Sequence, residues 1–302
     1  MPHLKKRNII IVAVLVLFGA SYARHRHEEA RITVSGHLQS KDMNEISGIA
    51  ASGLLNNIYY IHNDSGDTSR FFAITPDGKL KSTIYFKGDD KVKQQVEDCE
   101  DIAVGIGPTP GKSYVYMGDI GDNSAVRNYI TVYRLEEKPT WLKGNIIHAD
   151  AVPIHLKYPD GPKDAETLMV DPIQKLLYIV SKRRDTVNIY TSPLLFKPND
   201  TVTMTKRCSL FFEGIKPFKW ITAGDISRDG QQVLLKSYEK VYYWQRQKNE
   251  PVWETMQRKS AELPYQVEKQ GEAIGFTLDG AGYYTTSEGV YSPIYYYKSP
   301  RN

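Results

Sequence analysis

Short apolar runs separated by turn residues fill the chain, and no helical period appears after residue 23. Residues 58–61, 71–74 and 82–86 are three such runs, and Pro76-Asp77-Gly78 divides the last two. Asp-Gly between apolar runs predicts a tight hairpin, because both residues tolerate a left-handed backbone. The same layout returns at 114–117 with 129–134, 177–180 with 187–190, 233–235 with 241–244, and 283–286 with 294–297. Each pair predicts the second and third strands of one antiparallel unit.

A recurring phrase precedes each pair: an acidic or small residue, a spacer, an apolar residue, then a small or apolar one. It reads Ser47-Gly48-Ile49-Ala50, Glu100-Asp101-Ile102-Ala103, Glu166-Thr167-Leu168-Met169, Gly224-Asp225-Ile226-Ser227 and Glu272-Ala273-Ile274-Gly275. Successive phrases lie 53, 66, 58 and 48 residues apart. Propeller blades repeat at about 40–50 residues and hold four strands each, so loop insertions account for the longer intervals. The pattern predicts an all-β fold, a single β-propeller of five blades with four antiparallel strands each. Six blades is the alternative, if the interval from Glu100 to Glu166 holds another. The fifth repeat ends before it can supply an outer strand. Residues 31–38 alternate apolar with polar, and we expect them to pair onto the last blade, closing the ring and covering its edge.

The first residues have a different character. Lys5, Lys6 and Arg7 precede an apolar run at residues 9–18, and Ser21-Tyr22-Ala23 offers small residues for cleavage. This is the layout of a secretory signal peptide. It predicts a signal at residues 1–23, a propeller domain at 24–302, and a periplasmic or secreted protein. The alternative is a membrane anchor at residues 8–23, although a span needs about 20 apolar residues. Losing Lys5, Lys6 and Arg7 takes the formal charge from +4 to +1. A near-neutral chain without a clustered basic stretch argues against nucleic acid. No membrane contact is expected after cleavage, and a monomer is expected. Arg24, His25, Arg26 and His27 read as a solvated terminus. Cys99 and Cys208 fall on an inner strand of one blade and an outer strand of the next, and both are expected to be buried free thiols.

Candidate chemistry lies at the starts of the inner strands. Side chains two apart share one side of a strand. Asp98 with Glu100, Asp164 with Glu166, Glu45 with Ser47, and Gln270 with Glu272 therefore repeat one position around the channel. Carboxylates crowded about an axis repel each other and need raised pKa values or a cation. An all-oxygen set suits Ca²⁺ or Mg²⁺. Loops after the second strands add His62, Asn63, Asp64 and Asp67 in blade one, and Asp119, Asp122 and Asn123 in blade two. The matching places are basic in blades three and four, at Lys182, Arg183, Arg184 and Lys236, and Ser287-Glu288 in blade five. Bases beside a metal commonly hold a phosphate or carboxylate. The candidate metal ligands are Glu100, Glu166, Glu272, Asp64 and Asp119. The candidate ligand-binding residues are Asn63, Asp122, Asn123, Asp164, Lys182, Lys236 and His62. The competing reading is structural: acids at strand starts accept amides of neighbouring blades, and Gly-Asp-Asn phrases make turns. Asp101 and Asp225, in the opposite phase, are expected to serve such contacts, His62 to pack or turn, and Arg127 to brace the loop at Asp122. The sequence has no nucleophile elbow, P-loop or HExxH motif.

Several phrases together resemble a group of uncharacterised exported bacterial proteins: Ser-Gly-Ile-Ala, His-Asn-Asp-Ser-Gly, Glu-Asp-Ile-Ala, Gly-Asp-Ile-Gly-Asp-Asn, Tyr-Pro-Asp-Gly-Pro-Lys-Asp-Ala-Glu and Gln-Gly-Glu-Ala-Ile. More distantly the chain is similar to phytase-like and calcium-dependent lactonase-like propellers. That resemblance implies Ca²⁺, with Glu100, Glu166 and Glu272 facing it and Lys182 and Lys236 facing phosphate. The leading expectation is a propeller that binds a divalent cation and a small anionic ligand at its central channel. The alternatives are a metal-dependent hydrolase of phosphoesterase or lactonase type, and a non-catalytic protein-interaction scaffold.

Overall fold

The computed structural model describes residues 32–183, 186–198 and 200–299, so the leader-like segment, the Arg24–His27 run and Arg184 lie outside the described residues. The fold is a five-bladed β-propeller. From the channel outward, blade one holds Ile46–Ala51, Tyr59–Asn63, Arg70–Ile74 and Leu80–Phe86. Blade two holds Cys99–Ile106, Ser113–Asp119, Ile130–Glu136 and Val152–Lys157. Blade three holds Ala165–Asp171, Leu176–Ser181, Thr186–Pro193 and Thr205–Phe211. Blade four holds Ile221–Ile226, Gln232–Ser237, Val241–Gln245 and Ala261–Leu263. Blade five holds Ala273–Phe276, Gly282–Thr286, Pro293–Lys298 and, as its outermost strand, Ile32–His37. That first strand pairs antiparallel with Pro293–Lys298, from Ile32 opposite Tyr297 to His37 opposite Pro293, so the ring closes as expected.

The interval from Glu100 to Glu166 holds no sixth blade. Ile146–Ala149 instead runs back to lie parallel to Leu80–Phe86 on the outer edge of blade one. Thr201–Thr203 does the same on blade two, parallel to Val152–Lys157. Both outer edges are thereby covered by the chain itself.

The core is divided among the blade interfaces. Tyr60, Phe71, Tyr133 and Trp141 fill the space between blades one and two, and Tyr116, Leu168, Leu177 and Tyr190 that between two and three. Five separate apolar clusters serve the five interfaces. Tyrosine suits a wedge between blades, because its ring supplies apolar area and its hydroxyl reaches a polar rim. Tyr60 donates to Glu137 at 2.9 Å, and Tyr116 to the Ile106 carbonyl at 2.7 Å.

Buried acids add directional ties. Asp101 accepts the Ile102 amide and, across the interface, the Leu168 amide at 2.9 Å. Asp225 likewise accepts the Ile226 amide and that of Phe276 in blade five at 2.8 Å. Both serve inter-blade contacts, as their phase predicted. Cys99 and Cys208 are free thiols, but only Cys99 is buried. Cys208, on the outermost strand of blade three, is partly exposed.

Candidate functional site

Antiparallel pairing brings the start of each inner strand beside the end of its second strand. Ile46 faces Asn63, Cys99 faces Asp119, Ala165 faces Ser181, and Ile221 faces Ser237. Residues just outside these pairs therefore gather at one mouth of the channel. The ladder is irregular at the second inner-strand residue in each of blades one to four, at Ser47, Glu100, Glu166 and Thr222. Such bulges leave one residue unpaired and re-aim its side chain. The structural match in blade four is thus Thr222, two residues before the phrase that the sequence suggested. A slip of two preserves the face, so Thr222 rather than Gly224 holds this position in blade four, with a hydroxyl where blades two and three carry Glu100 and Glu166. Thr222 donates to the Gly271 carbonyl at 3.4 Å.

Three overlapping carboxylate groups line this mouth: Glu100 with Asp164 and Glu166, Asp64 with Asp98 and Glu100, and Asp64 with Glu272 and Glu288. Within each group the candidate ligand oxygens lie within 4.8 Å of one another. Glu100 and Asp64 each belong to two groups, so seven acids from blades five, one, two and three form one chain. Gly121 packs against it so closely that a Cβ there would collide with the Asp98 and Glu100 carboxylates.

The crowding shows in the acidities. Burial, then the charges of Glu166, Asp64 and Asp98, push the Glu100 carboxyl well above the usual range. Burial raises Glu166 to about 8 although Lys182 opposes it. Asp98 is raised to about 7 by burial with Asp64, Asp164 and Asp119, and Glu288 to about 7 by burial with Glu272. Asp64 rises to about 6, mainly through burial. Glu166 Oε2 is buried and has no hydrogen-bond partner among the described residues. A buried, unpartnered carboxylate oxygen is costly to fold around, by about 1–3 kcal/mol or more.

The cationic groups sit on one side. Lys182 Nζ lies 2.5 Å from Glu166 and 3.8 Å from Glu272. Tyr238 donates to the Glu272 carboxylate and accepts from Lys182 at 3.4 Å. Arg183 pairs with Asp164 and donates to Asn123. Beside this mouth opens a cleft of about 580 Å³, where Lys163, Lys182, Arg183 and Lys216 face Asp122 and Asp164.

The remaining predicted residues are placed elsewhere or are already engaged. Asp119 accepts the amides of Glu97 and Asp98 and pairs with Arg127 at 2.8 Å. Asp122 accepts the Val126 and Arg127 amides and so builds its own loop. Arg127 braces that loop through its amide, and its guanidinium goes to Asp119 and the Gly121 carbonyl. Asn63 accepts the Glu45 amide and donates to the Asp42 carbonyl and Asp67. His62 is fully buried over Gly48, bonded through Nδ1 to the Asn63 carbonyl, and burial lowers its pKa to about 4. Lys236 points away from the cleft into a buried pocket between blades four and five. There it donates to the carbonyls of Gly271 and Ser237 and lies 4.6 Å over the Tyr265 ring. Its neighbours are Glu268 and Glu272, and burial lowers its pKa to about 8. Tyr238 and Glu268 were not anticipated from sequence. Tyr238 had a usable signal, because it follows the second strand of blade four as Lys182 follows that of blade three. Glu268 had none.

No protein-family model matches the chain, and no curated protein matches it either. Its functional reading therefore rests on this geometry.

Proposed function

We propose that the protein binds a divalent cation on the carboxylates of the channel mouth, and a small anion in the adjoining basic cleft. The carrying observation is the group Glu100, Asp164 and Glu166, whose oxygens lie within 4.8 Å while Glu166 Oε2 lacks a hydrogen-bond partner among the described residues. A cation there supplies the missing partner and offsets the burial and mutual repulsion that push the Glu100 and Glu166 carboxyls up. The ligand atoms are all carboxylate oxygens, which favours Ca²⁺ or Mg²⁺ over softer metals. The more distant resemblance of the chain's pattern to phytase-like and calcium-dependent lactonase-like propellers points the same way. The secretory pattern of residues 1–23 supports action in the periplasm or outside the cell.

A native-state ligand stabilises by about 2.7 kcal/mol at a hundredfold excess over its Kd. In a protein of this size that corresponds to a rise of about 5–10 °C in melting temperature. We expect calcium to produce such a rise in the wild type and little or none in Glu100→Gln/Glu166→Gln, measured by scanning calorimetry. An equal rise in both proteins would remove these two residues from the site. Turnover of a phosphate ester or lactone, lost on adding chelator, would extend binding to hydrolysis.

A further inference from the structure

Two of the three acids in the Glu100–Asp164–Glu166 group each hold one base of the neighbouring cleft. Glu166 holds Lys182 at 2.5 Å, and Asp164 holds Arg183. Lys182 and Arg183 both line the cleft wall. The acids that would grip a cation are thus the acids that neutralise the cleft. Lys182 also reaches Glu272 in a second acidic group at 3.8 Å, so one ammonium serves two of the three groups.

We infer that Lys182 and Arg183 are the channel's resident cations, and that an entering divalent ion displaces them from Glu166 and Asp164 into the cleft, making cation and anion binding mutually dependent. The inference rests on the proposed cation site. Its physical basis is like-charge repulsion: Lys182 holds Glu166 Oε1, so a divalent ion on the free Oε2 of the same carboxylate meets the ammonium at close range in a buried site, where charges are poorly screened. Lysine swings on a flexible stem and holds its partner as a point charge. Lys182 and Arg183 both line the cleft, so that is the space open to the displaced groups. Without the cation, an arriving anion meets bases that are already paired. With the cation bound, it meets two released positive charges. Coupling of this kind is reciprocal, so the anion must tighten the cation by the same factor.

The test uses the full-length protein, with calcium as the cation probe and sulfate as the anion probe, in calorimetric titrations. Sulfate is expected to bind about tenfold tighter with calcium present, within the usual range of coupling between sites. Lys182→Met removes the resident competitor, so it should bind calcium more tightly than the wild type and lose most of the sulfate coupling. Arg183→Met, where the side chain is 38% exposed, should show the same two changes to a smaller degree. If Lys182→Met does not fold, the wild-type coupling and the Arg183 variant decide. Calcium binding that leaves sulfate affinity unchanged or weaker, or that is no tighter in the variants, overturns the displacement and leaves the cation site standing. No calcium binding by the wild type or any variant overturns the cation site itself, and the displacement with it.

Discussion

Deleting residues 32–38 should abolish the cooperative unfolding transition. These residues supply the outermost strand of blade five and Leu38, which is 1% exposed. Their loss removes a full ladder against Pro293–Lys298 and uncovers Ile294 and Tyr297, both buried in the native ring. Each ladder bond contributes about 1 kcal/mol net, and burial of one leucine about 2 kcal/mol. The total, on the order of 5 kcal/mol or more, rivals the whole stability of many domains. The damage is also topological, because this strand ties the start of the chain to its last blade. Urea titration followed by tyrosine fluorescence or circular dichroism checks it. A sharp transition near the wild-type midpoint would show that the ring does not need this closure.

Asp171→Ala should destabilise the protein by about 3–5 kcal/mol. Asp171 is fully buried at the end of the inner strand of blade three, and Arg246 of blade four grips it with two bonds of 2.8 and 3.1 Å. Removing the carboxylate strands a buried guanidinium that also donates to the Gly230 and Glu250 carbonyls. Removing both charges should cost less than removing one, because the desolvation penalty leaves with the pair. The double variant Asp171→Ala/Arg246→Met is therefore expected to recover part of the loss. Chemical denaturation of the three proteins measures this, and a double variant less stable than Asp171→Ala would contradict it.

The blades were legible because their signals are local. Apolar runs joined by Asp-Gly turns mark hairpins, and Gly78 takes the left-handed backbone at φ 86° that its turn requires. The closing strand was legible from a deficit, since the fifth repeat lacked an outer member while residues 31–38 alternated. What escaped was non-local. Ile146–Ala149 and Thr201–Thr203 are short edge strands whose partners lie far back along the chain, and nothing in their own composition names those partners. Bulges have no residue signature, so the position of Thr222 could be fixed only to within one strand period. Glu100, Glu166 and Glu272 each fall in one of the acidic groups at the channel mouth, at positions that the repeat marked as equivalent. Asp119, Asp122 and Asn63 were assigned from their place in the loops after the second strands, and that place does not separate a ligand from a cap. Lys182 and Lys236 looked equivalent in sequence, yet Lys182 enters the channel while Lys236 turns into the seam between blades four and five.

The raised acidities give the account its pH dependence. Asp64, Asp98, Glu288 and Glu166 hold protons up to about 6, 7, 7 and 8, above the values of these acids in an unfolded chain. A folded pKa above the unfolded one means that protonation favours the fold. Without a cation, stability should therefore rise as pH falls from about 8 toward 5. A cation needs the deprotonated forms, so its affinity should rise with pH across that same window, with protons released on binding.

Calcium titration by calorimetry near pH 7, repeated in buffers of different ionisation enthalpy, tests the central claim most directly. Binding should be saturable, with a heat that varies with the buffer as protons are released, and tighter near pH 8 than near pH 6. No binding at millimolar calcium at either pH would contradict it, because the crowded acids would then be stable with only Lys182, Arg183 and their own protons to balance them.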